Sequence, residues 1–119
     1  MKIVIALQIQ KKEKLTPLDI EVVLKSCKKW IWTPIKWKNI PKNYSLRKVY
    51  CTTSMWARRI VFLISWKNGI TFLLFYRSKN DEIWKNVTIK NKDFKKAIWK
   101  YLDIVFKDLK DWNFKQYDL

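Results

Sequence analysis

Four arginines, Arg47, Arg58, Arg59 and Arg77, stand apart in a chain whose basic charge is otherwise all lysine. Arginine presents a planar fork of donors that fits a phosphate through two parallel hydrogen bonds and stays charged at any accessible pH. All four fall within three apolar stretches that read as consecutive strands, and Lys48 lies beside Arg47. Cations grouped on a sheet could hold a phosphodiester and stabilise the charge that builds up when it is attacked. The plainer alternative is that they are solvated strand ends that discourage edge-to-edge pairing. The chain contains no histidine, so any acid–base chemistry has to use other side chains. Its two cysteines, Cys27 and Cys51, have no metal-ligand spacing and read as free thiols, so neither a metal nor another cofactor is expected.

Elements that could position these residues follow from local pattern. Residues 3 to 9 alternate, with Ile3, Ile5, Leu7 and Ile9 on one side, as a strand does. Thr16 is a good N-cap, Pro17 suits the first helical turn and Asp19 is spaced as a capping-box acid. The helix they start is expected to run to about Lys29, with Leu18, Val22, Val23 and Cys27 facing inward. Residues 31 to 44, broken by Pro34 and Pro41, read as irregular. Strands are expected over 46–52, 58–66 and 70–77, then a loop over 78–90. Asn91 would cap a last helix to about Lys110, with Phe94, Ile98, Tyr101, Leu102, Val105 and Leu109 on one face. The order β-α-loop-β-β-β-α predicts an α+β fold, an antiparallel sheet of about four strands with helices packed against it.

The hairpin at Lys67-Asn68-Gly69 decides which arginines meet. A two-residue turn at Asn68-Gly69 would put Arg59 with Tyr76 and Arg58 with Arg77. A turn ending in a left-handed Gly69 would oppose Trp66 to Ile70 and Arg59 to Arg77. Two arginines face to face repel unless an anion lies between them.

The totals set the wider frame. A chain of 119 residues suits a single domain spanning 1–119. Its formal net charge of +16 suits a polyanion, RNA above all. Lysine bias from an AT-rich genome would also raise that charge. The N-terminal apolar run lacks a small-residue cleavage site, and the runs IVFLIS and ITFLLFY are too short to span a bilayer. The expectation is a cytoplasmic protein with no membrane partner.

The segment LRKVYCTTSMWARRIVFLISWKNGITFLLFYRSKND resembles the three central strands of the RelE/ParE toxin superfamily of type II toxin–antitoxin modules. The likeness covers about residues 41 to 81. It rests on strand order, an arginine opening one strand and another ending the next. For RelE-type members the resemblance implies an endoribonuclease that cuts ribosome-bound mRNA by attack of a 2′-hydroxyl on the adjacent phosphate. It implies Lys48 as base or orienter, Arg59 as stabiliser of the transition state and Arg77 as aid to the leaving group. Arg47, Arg58, Tyr76 and Lys79 would contact the RNA. ParE-type relatives instead poison DNA gyrase without nuclease chemistry, and a plain basic RNA-binding module is the third reading. Either toxin branch implies an acidic, partly disordered antitoxin docking by strand addition or as an amphipathic helix.

Eight tryptophans accompany a single glycine. The rings could stack on bases, pack the core, or stand where a natural sequence reads glycine. Trp37, Trp56, Trp66, Trp84 and Trp112 all fall at turn or helix-end positions that favour glycine. Trp99 falls inside the last helix, where glycine costs about 1 kcal/mol.

Overall fold

Strand alternation and two helix caps account for most of the architecture seen in a computed structural model, which describes residues 2–28, 33–36, 40, 42–52, 57–78 and 92–118. In chain order these form β1 (Lys2–Ala6), α1 (Leu7–Lys12), α2 (Pro17–Lys28), β2 (Thr33–Ile35), β3 (Tyr44–Thr52), β4 (Ala57–Ser65), β5 (Ile70–Ser78), α3 (Lys92–Lys110) and β6 (Phe114–Asp118). The strands make one sheet in the order β2-β3-β4-β5-β1-β6. The pair β1–β5 is parallel and the other four pairs are antiparallel. The fold is therefore α+β as expected, but its sheet is mixed and six-stranded rather than antiparallel and four-stranded.

The difference arises at the ends of the chain and at one edge. Residues 31–44 were expected to be irregular, yet Thr33, Pro34 and Ile35 pair with Lys48, Arg47 and Leu46. A proline fits there because β2 is an edge strand, where a missing N–H costs no ladder bond. After α3 the chain returns as β6 beside β1, a strand whose burial does not alternate cleanly.

The first strand is shorter than its alternation suggests. It stops at Ala6, and Leu7 to Lys12 turn into α1. Ala6 supplies no side-chain cap. The cap comes from α3 instead: the buried Asp108 carboxylate accepts from Gln8 N at 2.9 Å, and Asn113 O accepts from Leu7 N at 3.0 Å. The orphan donors that open a helix are thus satisfied from a distant part of the chain.

The start of α2 is local and follows the expected capping box. Thr16 Oγ1 accepts from Asp19 N at 3.2 Å, and Asp19 Oδ2 accepts from Thr16 N at 2.9 Å. Val23, Ser26 and Cys27 are buried, and burial pushes the Cys27 thiol up to about 11. Leu18, expected to face inward, is 74% exposed, because the buried face of α2 lies over Val23 and Cys27 instead. Of the expected stripe in α3, Phe94, Ile98, Tyr101, Leu102 and Val105 are buried and Leu109 is half-buried, and Asp108 joins them. The expected loop after β5 and the Asn91 cap lie outside the described residues.

Helices cover both faces of the sheet. Phe75 and Tyr76 are neighbours on β5 and so point to opposite sides. Phe75 meets Tyr101 and Phe94 of α3 at ring-centroid distances of 4.1 and 6.0 Å. Tyr76 donates its hydroxyl hydrogen to Asp19 of α2 at 3.0 Å. One face therefore meets α3, with α1 packed alongside, and the other meets α2 at Asp19.

Helix α1 ends with Lys14 left-handed at φ 53°, and α3 ends with Trp112 left-handed at φ 57°. In both, the next residue's N–H reaches back across the last turn: Leu15 N to Gln10 O at 3.0 Å, and Asn113 N to Asp108 O at 2.8 Å. These are Schellman ends, whose left-handed residue is ordinarily glycine. Lys14→Gly is therefore expected to raise the unfolding free energy by about 1 kcal/mol, the usual order of the left-handed penalty. Urea unfolding of the two proteins measures it, and an unchanged midpoint would count against the strain. Trp112 occupies the same glycine-favouring position, 83% exposed. Trp66 lies in the hairpin loop, and its Nε1 donates to Ser45 Oγ at 2.9 Å. Trp99 sits within α3. Trp37, Trp56 and Trp84 lie outside the described residues.

Candidate nucleic-acid interface

The arginines are placed by the β3–β4–β5 ladder, and that ladder contains one irregularity. The hairpin loop spans residues 66–69, with Ser65 opposite Ile70 and Gly69 at φ 63°. Neither expected turn has that register. Continued unbroken, it would put Arg58 opposite Arg77. A β-bulge intervenes: Phe62 pairs Leu73 while Val61 pairs Phe75, so Leu74 is an extra residue. Beyond it the register has moved by one, and Arg59 faces Arg77.

The next pairing carries the row onto a third strand, because Tyr50 of β3 faces Arg59. Tyr50, Arg59 and Arg77 thus lie side by side across three strands, on the face covered by α3. Lys48 shares this face by alternation, and its Nζ lies 5.9 Å from the Tyr50 ring centroid. Arg59 Cζ lies 5.2 Å from the same ring. Tyr50 is 58% exposed, far more than a tyrosine buried in a sheet. Among the described residues Arg59 Nε and Nη1 are buried and have no hydrogen-bond acceptor. The three residues expected to do chemistry, Lys48, Arg59 and Arg77, therefore share one face at one end of the sheet.

The expected RNA contacts do not join them. Arg47, Arg58 and Tyr76 alternate onto the opposite face. Arg58 Cζ lies 5.5 Å from the Tyr76 ring, and Arg47 Cζ lies 6.0 Å from the Trp66 ring. Tyr76 is buried, and burial first, then the Asp19 carboxylate, push its hydroxyl up to about 12. Its ring has no exposed face to offer a base. Lys79 lies outside the described residues.

Three further residues complete the site, one from α3, which the sequence located, and two from α1 and its end, which it did not. Glu13, at the end of α1, places Oε2 2.7 Å from Arg77 Nε, with its side chain only 1% exposed. Tyr101 of α3 accepts from Arg77 Nη2 at 2.6 Å. Burial, then the nearby Glu13 carboxylate, hold the Tyr101 hydroxyl well above the usual tyrosine range, so it stays protonated. The Glu13 carboxylate beside Nε and the phenol accepting from Nη2 together anchor the Arg77 guanidinium. Lys12, also on α1, lies with Nζ 5.0 Å from the Tyr101 ring centroid. Partial burial lowers its pKa, and the neighbouring Lys100 lowers it further.

A shallow cavity of about 510 Å³, lined in part by Leu7, Gln10, Lys11, Leu15 and Lys115, lies between α1 and β6 and includes none of these residues. Tyr50 supplies an exposed ring beside the row, while Arg59 Nε and Nη1 and Arg77 Nε are buried. Among the described residues no group of acidic, cysteine or histidine side chains could hold a metal ion, and no helix is long and apolar enough to cross a membrane. No protein-family model, no curated protein and no solved structure matches this chain.

Proposed function

We propose that the chain is an RNA-cleaving toxin of a type II toxin–antitoxin pair, acting on single-stranded messenger RNA. One observation carries this reading: Arg59 and Arg77 stand opposite each other on one face. Like charges directly opposed across a ladder are unfavourable, and a shared phosphate turns that repulsion into attraction. In the proposed reaction the 2′-hydroxyl oxygen bonds to the adjacent phosphorus and the bond to the 5′-oxygen breaks. The products are a 2′,3′-cyclic phosphate and a 5′-hydroxyl end. Lys48 takes or orients the 2′-hydroxyl proton, Arg59 stabilises the negative charge of the transition state, and Arg77 stabilises the departing 5′-oxygen, which takes up a proton from water. Tyr50 offers an exposed ring to a flanking base, in the place expected of Tyr76. The net charge of +16 supports an acidic antitoxin as protein partner.

The Glu13–Arg77 ion pair favours a second reading. If that buried carboxylate holds Arg77 for stability alone, the chain is a basic RNA-binding module without chemistry. Induced expression followed by mapping of transcript ends separates the two. Growth arrest with new internal 5′-hydroxyl ends is the expected result. Arrest with intact transcripts and DNA damage would replace it with gyrase poisoning. Neither arrest nor cleavage would leave the binding module.

A further inference from the structure

The cavity between α1 and β6 lies apart from the arginine row, and its lining differs in kind. Leu7 and Leu15 give it an apolar wall, and Lys11, Lys14 and Lys115 give it three cations. No acidic and no aromatic residue lines it, and all three lysines are exposed. Its volume of about 510 Å³ falls within the usual range for a ligand pocket, about 300–1,000 Å³. Lys115 belongs to β6, which pairs with β1 and, among the described residues, has no strand on its outer side. Alternate backbone N–H and C=O groups of such a strand point outward, a ready template for another chain. An apolar pocket and an open strand edge therefore meet at Lys115.

We infer that this surface docks an extended acidic segment of a partner protein, which adds as a strand to β6 and seats an apolar side chain against Leu7 and Leu15. Charge complementarity selects the partner. Carboxylates flanking that side chain meet Lys11, Lys14 and Lys115, on a chain whose net charge is +16. Strand addition supplies main-chain hydrogen bonds, and a pocket beside the edge supplies selectivity for one side chain. A nucleic acid fits less well, since bases stack on aromatic rings and none lines the cavity. The inference rests on the reading that the chain has an acidic protein partner, and gives that partner a place; it requires no RNA cleavage. Tyr50, Arg59 and Arg77 do not line the cavity. The docked segment therefore holds the partner without itself competing for RNA.

The test uses a short synthetic peptide of alternating glutamate and leucine, with alternating lysine and leucine as control. Binding to the full chain is followed by titration calorimetry at low salt and by amide hydrogen exchange. The acidic peptide is expected to bind and to slow exchange within Phe114–Asp118, and the basic one to do neither. Lys11→Glu and Lys115→Glu are each expected to weaken binding by about tenfold, as a surface attraction gives way to a repulsion of similar size. Both side chains are exposed, so these variants leave the core untouched. A 2′-O-methyl oligoribonucleotide, which cannot be cut by 2′-hydroxyl attack, is expected to leave the peptide in place. No binding, unchanged affinity in both variants, or unchanged exchange in β6 would overturn the inference. Displacement by the oligonucleotide would also overturn it and assign the cavity to the nucleic-acid surface. Lysine-dependent peptide binding in a protein that causes no growth arrest would remove the toxin reading and keep the docking surface. Growth arrest and cleavage without peptide binding would do the reverse.

Discussion

Arg59→Ala is expected to lower RNA cleavage by about 10²–10³-fold, the loss typical of removing one donor to a developing oxyanion. The ladder makes this variant more informative than its neighbour. Arg59 lies in the row with Tyr50 and Arg77, whereas Arg58 lies on the other face against Tyr76. Arg58→Ala should therefore stay within a few-fold of wild type, and equal losses in both would put the site elsewhere. Arg77→Ala is a poorer probe, since it would leave the buried Glu13 carboxylate without its cation. Such a loss typically costs about 3–5 kcal/mol, so reduced activity would be confounded with unfolding. Arg59 carries no such partner among the described residues, and its removal leaves no buried carboxylate behind. Initial rates on a single-stranded substrate, with thermal unfolding as control, measure the effect.

Asp108→Ala is expected to cost about 3 kcal/mol of stability. Asp108 is fully buried, and its two oxygens accept from Gln8 N and Gln8 Nε2 at 2.9 Å each and from Asn113 Nδ2 at 3.4 Å. Alanine would strand these donors around a small void, and hydrogen bonds to a charged group contribute about 1.5–3 kcal/mol each. The contacts join the start of α1 to the exit of α3, so their loss loosens both the helix that carries Lys12 and Glu13 and the return into β6. At this chain length the midpoint temperature should fall by roughly 10 °C. A fall of only a degree or two would mean that water replaces the carboxylate, and that α1 is held by its apolar contacts alone.

Asp108 also marks where local pattern stops being informative. Elements specified by their own residues were legible: the Thr16–Asp19 box starts α2, the apolar stripe defines α3, and β-branched and aromatic runs give the three central strands. Helix α1 was not, because six residues make a marginal helix and its cap comes from residue 108. Strand β6 was not, because it is formed by pairing with β1 rather than by its own alternation. The site divides the same way. Lys48, Arg59 and Arg77 share a face that strand alternation could suggest. Glu13, Tyr101 and Lys12 reach it only because α1 and α3 pack over that face. Tyr50 was within reach of the sequence, since pairing Arg59 one strand further back leads to it.

The extra residue in β5 has a consequence for descent. Removing Leu74 would leave the pairs Val61–Phe75 and Phe62–Leu73 adjacent in an uninterrupted ladder, with Arg59 still facing Arg77. A lineage could gain or lose this residue and keep Tyr50, Arg59 and Arg77 in one row. Aligning two such lineages would need a one-residue gap in the middle of a buried strand, where gaps are least expected. Distant kin of this chain would thus be hardest to align in the very segment that carries its site.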